Sequence, residues 1–177
     1  MLKESLLEFK QVKNMVYIAM LCALNVVLSY FSVPLAPELR LGFSFLTMSV
    51  IGYLYGPAVG GICGLILDQV KFLVNPTGDY LLIWSIIEIS AGFLYGLVLY
   101  KKKPSFARCL VAKFLVSLLC NIILTPLLLT VLYGGGLAAF ITRISARILK
   151  NIILLPIEAS IMFVLLSRLE AYFRKKA

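Results

Sequence analysis

The chain has no histidine and few charges: 8 acidic residues against 17 basic ones, 14% charged in all. The missing histidine excludes Ser-His-Asp triads and HExxH zinc sites. No GxxxxGK[ST] loop is present, so nucleotide hydrolysis by that route is excluded and any uphill movement must be driven by another subunit. The four cysteines, Cys22, Cys63, Cys109 and Cys120, form no CxxC pair and lie in or beside apolar runs, where a thiol is a small apolar filler. No disulfide, metal or cofactor is expected. Linkers, low-complexity tracts and tandem repeats are lacking. No cleavable signal is evident, because the charged first 13 residues lead into an apolar run with no small-residue cleavage site behind it.

Apolar surface is what the chain has in excess. Of its 177 residues 62% are hydrophobic, with a mean hydropathy of +1.01. A soluble domain averages about 45–50% apolar and about 25% charged residues. One core of this size cannot hide the surplus from water, so the remaining solvent is lipid. A span needs roughly 20 apolar residues. Six such runs are expected, from about Met15 to Val33, Leu41 to Tyr55, Ala58 to Val74, Tyr80 to Tyr100, Phe106 to Leu132 and Thr142 to Leu166. Pro34 and Pro37, Gly56-Pro57, Asn75 to Asp79, Lys101 to Pro104 and Gly134 to Gly136 punctuate them. The expected fold is an all-α membrane protein, a compact six-helix bundle forming one domain over 1–177.

The basic residues orient this bundle. With the N-terminus in the cytoplasm, the inner segments hold eleven: Lys3, Lys10, Lys13, Lys101, Lys102, Lys103, Arg108, Arg168, Arg174, Lys175 and Lys176. The outer loops and helix ends hold five, Arg40, Lys71, Arg143, Arg147 and Lys150, and Lys113 lies inside span five. The asymmetry places both termini in the cytoplasm of a multi-pass cell-membrane protein. It does not explain the outer five.

Ionisable groups at membrane depth are expensive, so they face a cavity or a partner. Asp68 and Lys71 share a helix face, either as a structural ion pair or as pocket lining. Arg143, Arg147, Lys150 or Asn151, and Glu158 form one inward-running stripe on span six. The two arginines either snorkel to headgroups or clamp a carboxylate with their planar forks. In span five Lys113, Ser117, Asn121 and Thr125 recur every four residues. Trp84 either anchors at the interface or stacks on a flat ring, and Glu88 either accepts from a heterocycle or pairs with Lys71 or an arginine. Asn121 can read a heterocycle edge, and Asn25 does likewise or bonds a neighbouring helix. A matching ligand is a flat, hydrogen-bonding heterocycle with an anionic tail.

Gly52, Gly56, Gly60 and Gly64 recur every four residues, as do Gly92 with Gly96 and Ala19 with Ala23. Such small-xxx-small rows let helices approach closely.

Six spans in this length, the Ala19-x-x-x-Ala23 pair and the stretch Gly52-Tyr-Leu-Tyr-Gly56-Pro57 through Gly60 and Gly64 to Asp68 resemble the substrate-binding S components of energy-coupling factor (ECF) vitamin transporters. Leu39-Arg40-Leu41-Gly42-Phe43-Ser44-Phe45 and Arg143 to Asn151 before Leu155-Pro156 resemble the folate-binding members most. The resemblance implies a non-enzymatic subunit that binds its vitamin outside. It then docks on a transmembrane coupling subunit carrying two ATPase subunits, through the Ala19/Ala23 surface. It also implies gating by the loops after spans one and three and by Gly134 to Gly136. Folate suits the residues, with a pterin as the flat ring and glutamate carboxylates for Arg147, Arg143, Lys150 or Arg40. Riboflavin and thiamine are rival ligands, and a basic cluster disfavours cationic thiamine. A magnesium-dependent membrane enzyme would need carboxylates on adjacent turns; Asp68, Glu88 and Glu158 stand on three different helices. A channel would more often show rings of one charge type.

Overall fold

The computed structural model describes residues 2–9, 11–36, 39–74, 82–134 and 136–176. The helices are α1 (Leu2–Glu8), α2 (Val12–Tyr30), α3 (Ser44–Tyr55), α4 (Pro57–Val74), α5 (Ser85–Leu99), α6 (Phe106–Val116), α7 (Thr125–Tyr133) and α8 (Gly136–Lys176). A 3₁₀ turn, Leu82–Trp84, leads into α5, and a π-helical segment, Ser117–Leu124, joins α6 to α7. Five helical stretches are long and apolar enough to cross a membrane, and one of them, Ser44–Val74, is divided at Gly56 into α3 and α4. The six expected spans are therefore α2, α3, α4, α5, α6 with α7, and α8.

Span one ends earlier than expected, at Tyr30, and span two starts later, at Ser44. Between them β1 (Ser32–Ala36) pairs antiparallel with β2 (Leu39–Gly42), with Ser32 opposite Gly42, Val33 opposite Leu41 and Pro34 opposite Arg40. Pro34 explains the change, since it cannot continue a helix and it pushes Val33 into extended backbone. The Asn75 to Asp79 connection, Pro37, Lys10 and Gly135 lie outside the described residues.

Twelve residues of α3 rise only about 18 Å, short of an apolar layer of about 30 Å. Neighbouring helices cover it, and Thr47 to Gly52 are all buried. Gly56 (φ +88°) turns the chain back. Gly52 of α3 then lies against Gly96, and Met48 against Gly92, so α3 runs parallel to α5. Pro57, Gly60 and Gly64 of α4 lie against Gly96, Gly92 and Glu88, so α4 runs antiparallel to it. A Cβ on Gly60 would strike the Gly92 carbonyl, and one on Gly64 the Glu88 carbonyl. Lipid is as apolar as leucine, so van der Waals contact at this separation supplies the attraction.

The break at Gly56 is closed by α1, an element hidden in the charged N-terminal segment. Ser5, 0% exposed, donates to the Tyr55 carbonyl (2.6 Å) and accepts from the Val59 N–H (3.1 Å). These are the groups that one helix end and the next helix start leave unpaired. Glu4 meets Lys101 at 3.2 Å on the surface. That ammonium holds the Glu4 carboxyl below its ordinary pKa range.

The buried core runs through Met48, Leu67, Tyr95, Leu99, Cys109, Ala112, Met162 and Leu166, with a second cluster of Ile18, Ile51, Tyr55, Val59 and Cys63. All four cysteines are free thiols. Pro126, which offers no N–H to the preceding turn, follows the widened Ser117–Leu124 segment, where Thr125 Oγ1 donates to the Cys120 carbonyl at 2.6 Å. At 41 residues, α8 is about 60 Å long and reaches well past one membrane face.

Candidate ligand-binding site

Two polar banks line the bundle. The first lies where α4 meets α5. Of the two pairings left open for Lys71, with Asp68 one turn away or with Glu88, it makes the second, crossing to Glu88 of α5 at 3.0 Å with both groups partly exposed. Asp68 accepts from Ser85 Oγ at 2.6 Å. Helix antiparallelism explains the crossing, because it brings residues 64 and 88 together and sets the next turn of α4 beside the first turn of α5. Trp84 stands half-buried one turn before Glu88.

The second bank lies on α7, α8 and the π segment. Arg143 donates from Nη1 to Thr130 Oγ1 (2.9 Å) and to the Gly134 carbonyl (3.4 Å). Asn121 donates to Asn151 Oδ1 at 3.4 Å, and Asn151 donates to the Arg147 carbonyl at 2.8 Å. The expected stripe of Arg143, Arg147, Lys150 and Asn151 is thus one face of a single unbroken helix. Arg147 and Lys150 are half-buried. Among the described residues Arg143, Arg147 and Lys150 have no carboxylate within ion-pair distance.

Between the banks sits a closed pair. Lys113 Nζ lies 2.9 Å from Glu158 Oε2, with side chains 6% and 11% exposed, and 4.2 Å above the Phe45 ring. The buried Tyr95 stands within electrostatic reach of both Glu158 and Glu88, and Lys150 within reach of Lys113. Arg40 lies in β2, beside the start of α3; its side chain is outside the described residues. Asn25 is committed to structure: its amide donates to the Ser44 carbonyl (2.8 Å) and to Thr47 Oγ1 (2.6 Å). Sequence reasoning missed Ser85, Thr130 and Phe45, none of which carries a charge or a spacing that marks it.

Among the described residues the α8 stripe thus carries three cations without a carboxylate partner, beside the hydrogen-bonded amides of Asn121 and Asn151. On the outside of α2, Met15, Ala19, Ala23 and Val27 form an exposed row four residues apart. These features together define a multi-pass membrane protein with a row of cations on α8 and an exposed small-residue row on α2.

The chain matches the family "ECF transporter, substrate-specific component" over residues 13–166 and belongs to it. Among curated relatives, the folate transporter FolT of Clostridium novyi is 29% identical over 155 residues, covering 87% of this chain and 88% of that one. The folate transporter FolT of Leuconostoc mesenteroides is 32% identical over 158 residues, covering 88% and 85%. A crystal structure of FolT bound with folic acid superposes with a TM-score of 0.79 at 33% identity, covering 89% of this chain and 95% of that chain.

Proposed function

We propose that this chain is the folate-binding subunit of an ECF importer, capturing folate outside the cell and releasing it inward. One observation carries the reading. The stripe of Arg143, Arg147 and Lys150 has no carboxylate of its own among the described residues, and the glutamate tail of folate supplies two. Arg147, whose fork is not engaged by any described side chain, is the principal clamp. Arg143, Lys150 and Arg40 supply further positive charge. The pterin stacks at Trp84, with Glu88 accepting from its ring N–H groups and Asn121 and Asn151 reading its edge; Lys71 and Asp68 hold Glu88 and the first turn of α5 in place. The folate-binding neighbours support this assignment over riboflavin or thiamine.

The chain acts as a binding subunit, without chemistry of its own. Both termini lie in the cytoplasm, and the Ala19/Ala23 row is the contact for a transmembrane coupling subunit that carries two ATPase subunits. Fluorescence of the sole tryptophan, Trp84, tests the ligand directly. Purified protein titrated with folate, riboflavin and thiamine should respond to folate at submicromolar concentration. Silence toward folate at micromolar concentration, or a tighter response to either rival, overturns the assignment.

A further inference from the structure

The opposite end of α8, about 40 Å along the helix from Arg143, holds a second basic site. A cavity of about 610 Å³ opens there between the α5–α6 connection and the last turns of α8, lined by Lys103, Pro104, Ser167, Glu170, Ala171 and Arg174. Arg108 donates to the Lys103 carbonyl at 2.8 Å and so fixes the connection. Among the described residues neither Lys103 nor Arg174 has an ion-pair partner. Lys102, Arg108 and Arg168 are exposed and next to the lining residues in sequence, whereas Lys101 is paired with Glu4. The apolar run of α8 ends near Leu166 in the sequence, one residue before Ser167, so the cavity lies at the membrane border.

We infer that this cavity binds the headgroup of an anionic glycerophospholipid, phosphatidylglycerol fitting it best. A phosphodiester takes the place between Lys103 and Arg174, where basic pockets between helices meet lipid phosphate. The acceptors on the opposite wall choose the rest of the headgroup. Ser167 Oγ spends its proton on the Val164 carbonyl at 2.9 Å and presents lone pairs, and Glu170 presents a carboxylate. Both want hydroxyl donors, which a glycerol headgroup has and a choline headgroup lacks. An ethanolamine headgroup would satisfy Glu170 but brings no net charge to the positive rim. Exposed Phe106, edge-on to Phe163 with ring centroids 6.2 Å apart, follows the connection toward the apolar layer where an acyl chain would lie.

Native mass spectrometry of the full chain, released from detergent and titrated with single lipids, tests this. Phosphatidylglycerol should be retained at about tenfold lower concentration than phosphatidylcholine, and K103Q/R174Q should abolish that margin. A control of equal charge loss away from the cavity, K3Q/K13Q, should keep it. Equal loss in both variants means diffuse surface charge and overturns the site. Retention of phosphatidylethanolamine as strong as that of phosphatidylglycerol overturns the choice of headgroup. Competition by free glycerol 3-phosphate at concentrations matching the lipid overturns the membrane source.

Discussion

The two sides of the bundle are held together by opposite means. On the α3–α4–α5 side, side chains are missing where the helices touch: Gly52, Gly60, Gly64, Gly92 and Gly96 bring backbone onto backbone. On the α6–α7–α8 side, polar groups do the joining through Lys113 with Glu158, Arg143 with Thr130 and Asn121 with Asn151. The seams between the glycine-lined helices leave no room for a ligand, since a single methyl group already collides there. The polar side leaves cations without counterions. On the proposed reading the cations of the polar side hold the anionic tail, while the stiff glycine-packed half presents Trp84 and Glu88 to the ring.

Removing a charge from the closed pair should break the polar side most severely. Lys113→Leu strands Glu158 in the interior and should cost about 3–5 kcal/mol, whereas Lys113→Leu with Glu158→Leu should recover most of it. Thermal unfolding in detergent checks both; equal losses in the single and double variants would mean that packing, not charge, holds that contact. The glycine side is broken by adding one carbon. Gly92→Ala drives a Cβ into the Gly60 carbonyl and to 2.8 Å from Met48 Cε, so stability should fall by about 1–3 kcal/mol. An unchanged unfolding midpoint would show that α4 and α5 separate at little cost.

Arg147→Ala sharpens the comparison from the ligand's side. It removes an uncompensated cation, so the empty protein should unfold normally while folate binding weakens by about 1.5–3 kcal/mol. Arg147→Lys should recover only part of this, because an ammonium lacks the bidentate fork. Titration calorimetry decides, and unaltered affinity would transfer the clamp to Arg143 or Lys150. The smallest effect on affinity, none, is expected for Ala19→Trp and Ala23→Trp on the exposed row of α2, although cellular uptake should cease. Normal uptake by both variants would reject that row as the docking contact.

Hydropathy located the six spans because lipid imposes one rule along every helix, and Gly56-Pro57 and Pro104 marked true ends. It did not reveal α1, whose Lys3 read as an orientation signal while Ser5, uncharged and ordinary in sequence, made the decisive contacts. Nor did it show β1 and β2, although Pro34 forbade the helix that was extended over Val33. Within the candidate site, the stripe on α8 was legible because one helix carries all of it. Lys71 with Glu88 was one of two open pairings, and Lys113 with Glu158 was not foreseen as a pair. Both depend on how helices rotate against each other, which periodicity within a helix does not encode.

The wide turn at Ser117–Leu124 acts as a gear setting. One residue fits there beyond what an α-helix would hold, so everything after it is rotated by about 100° from where a regular helix would put it. That rotation lets Thr130 of α7 meet Arg143 of α8. Deleting a single residue from this segment would leave the span long enough to cross the membrane, yet dial the α7 face away from α8. The segment therefore sets how the α7 face meets the basic stripe of α8, and it carries Asn121 itself.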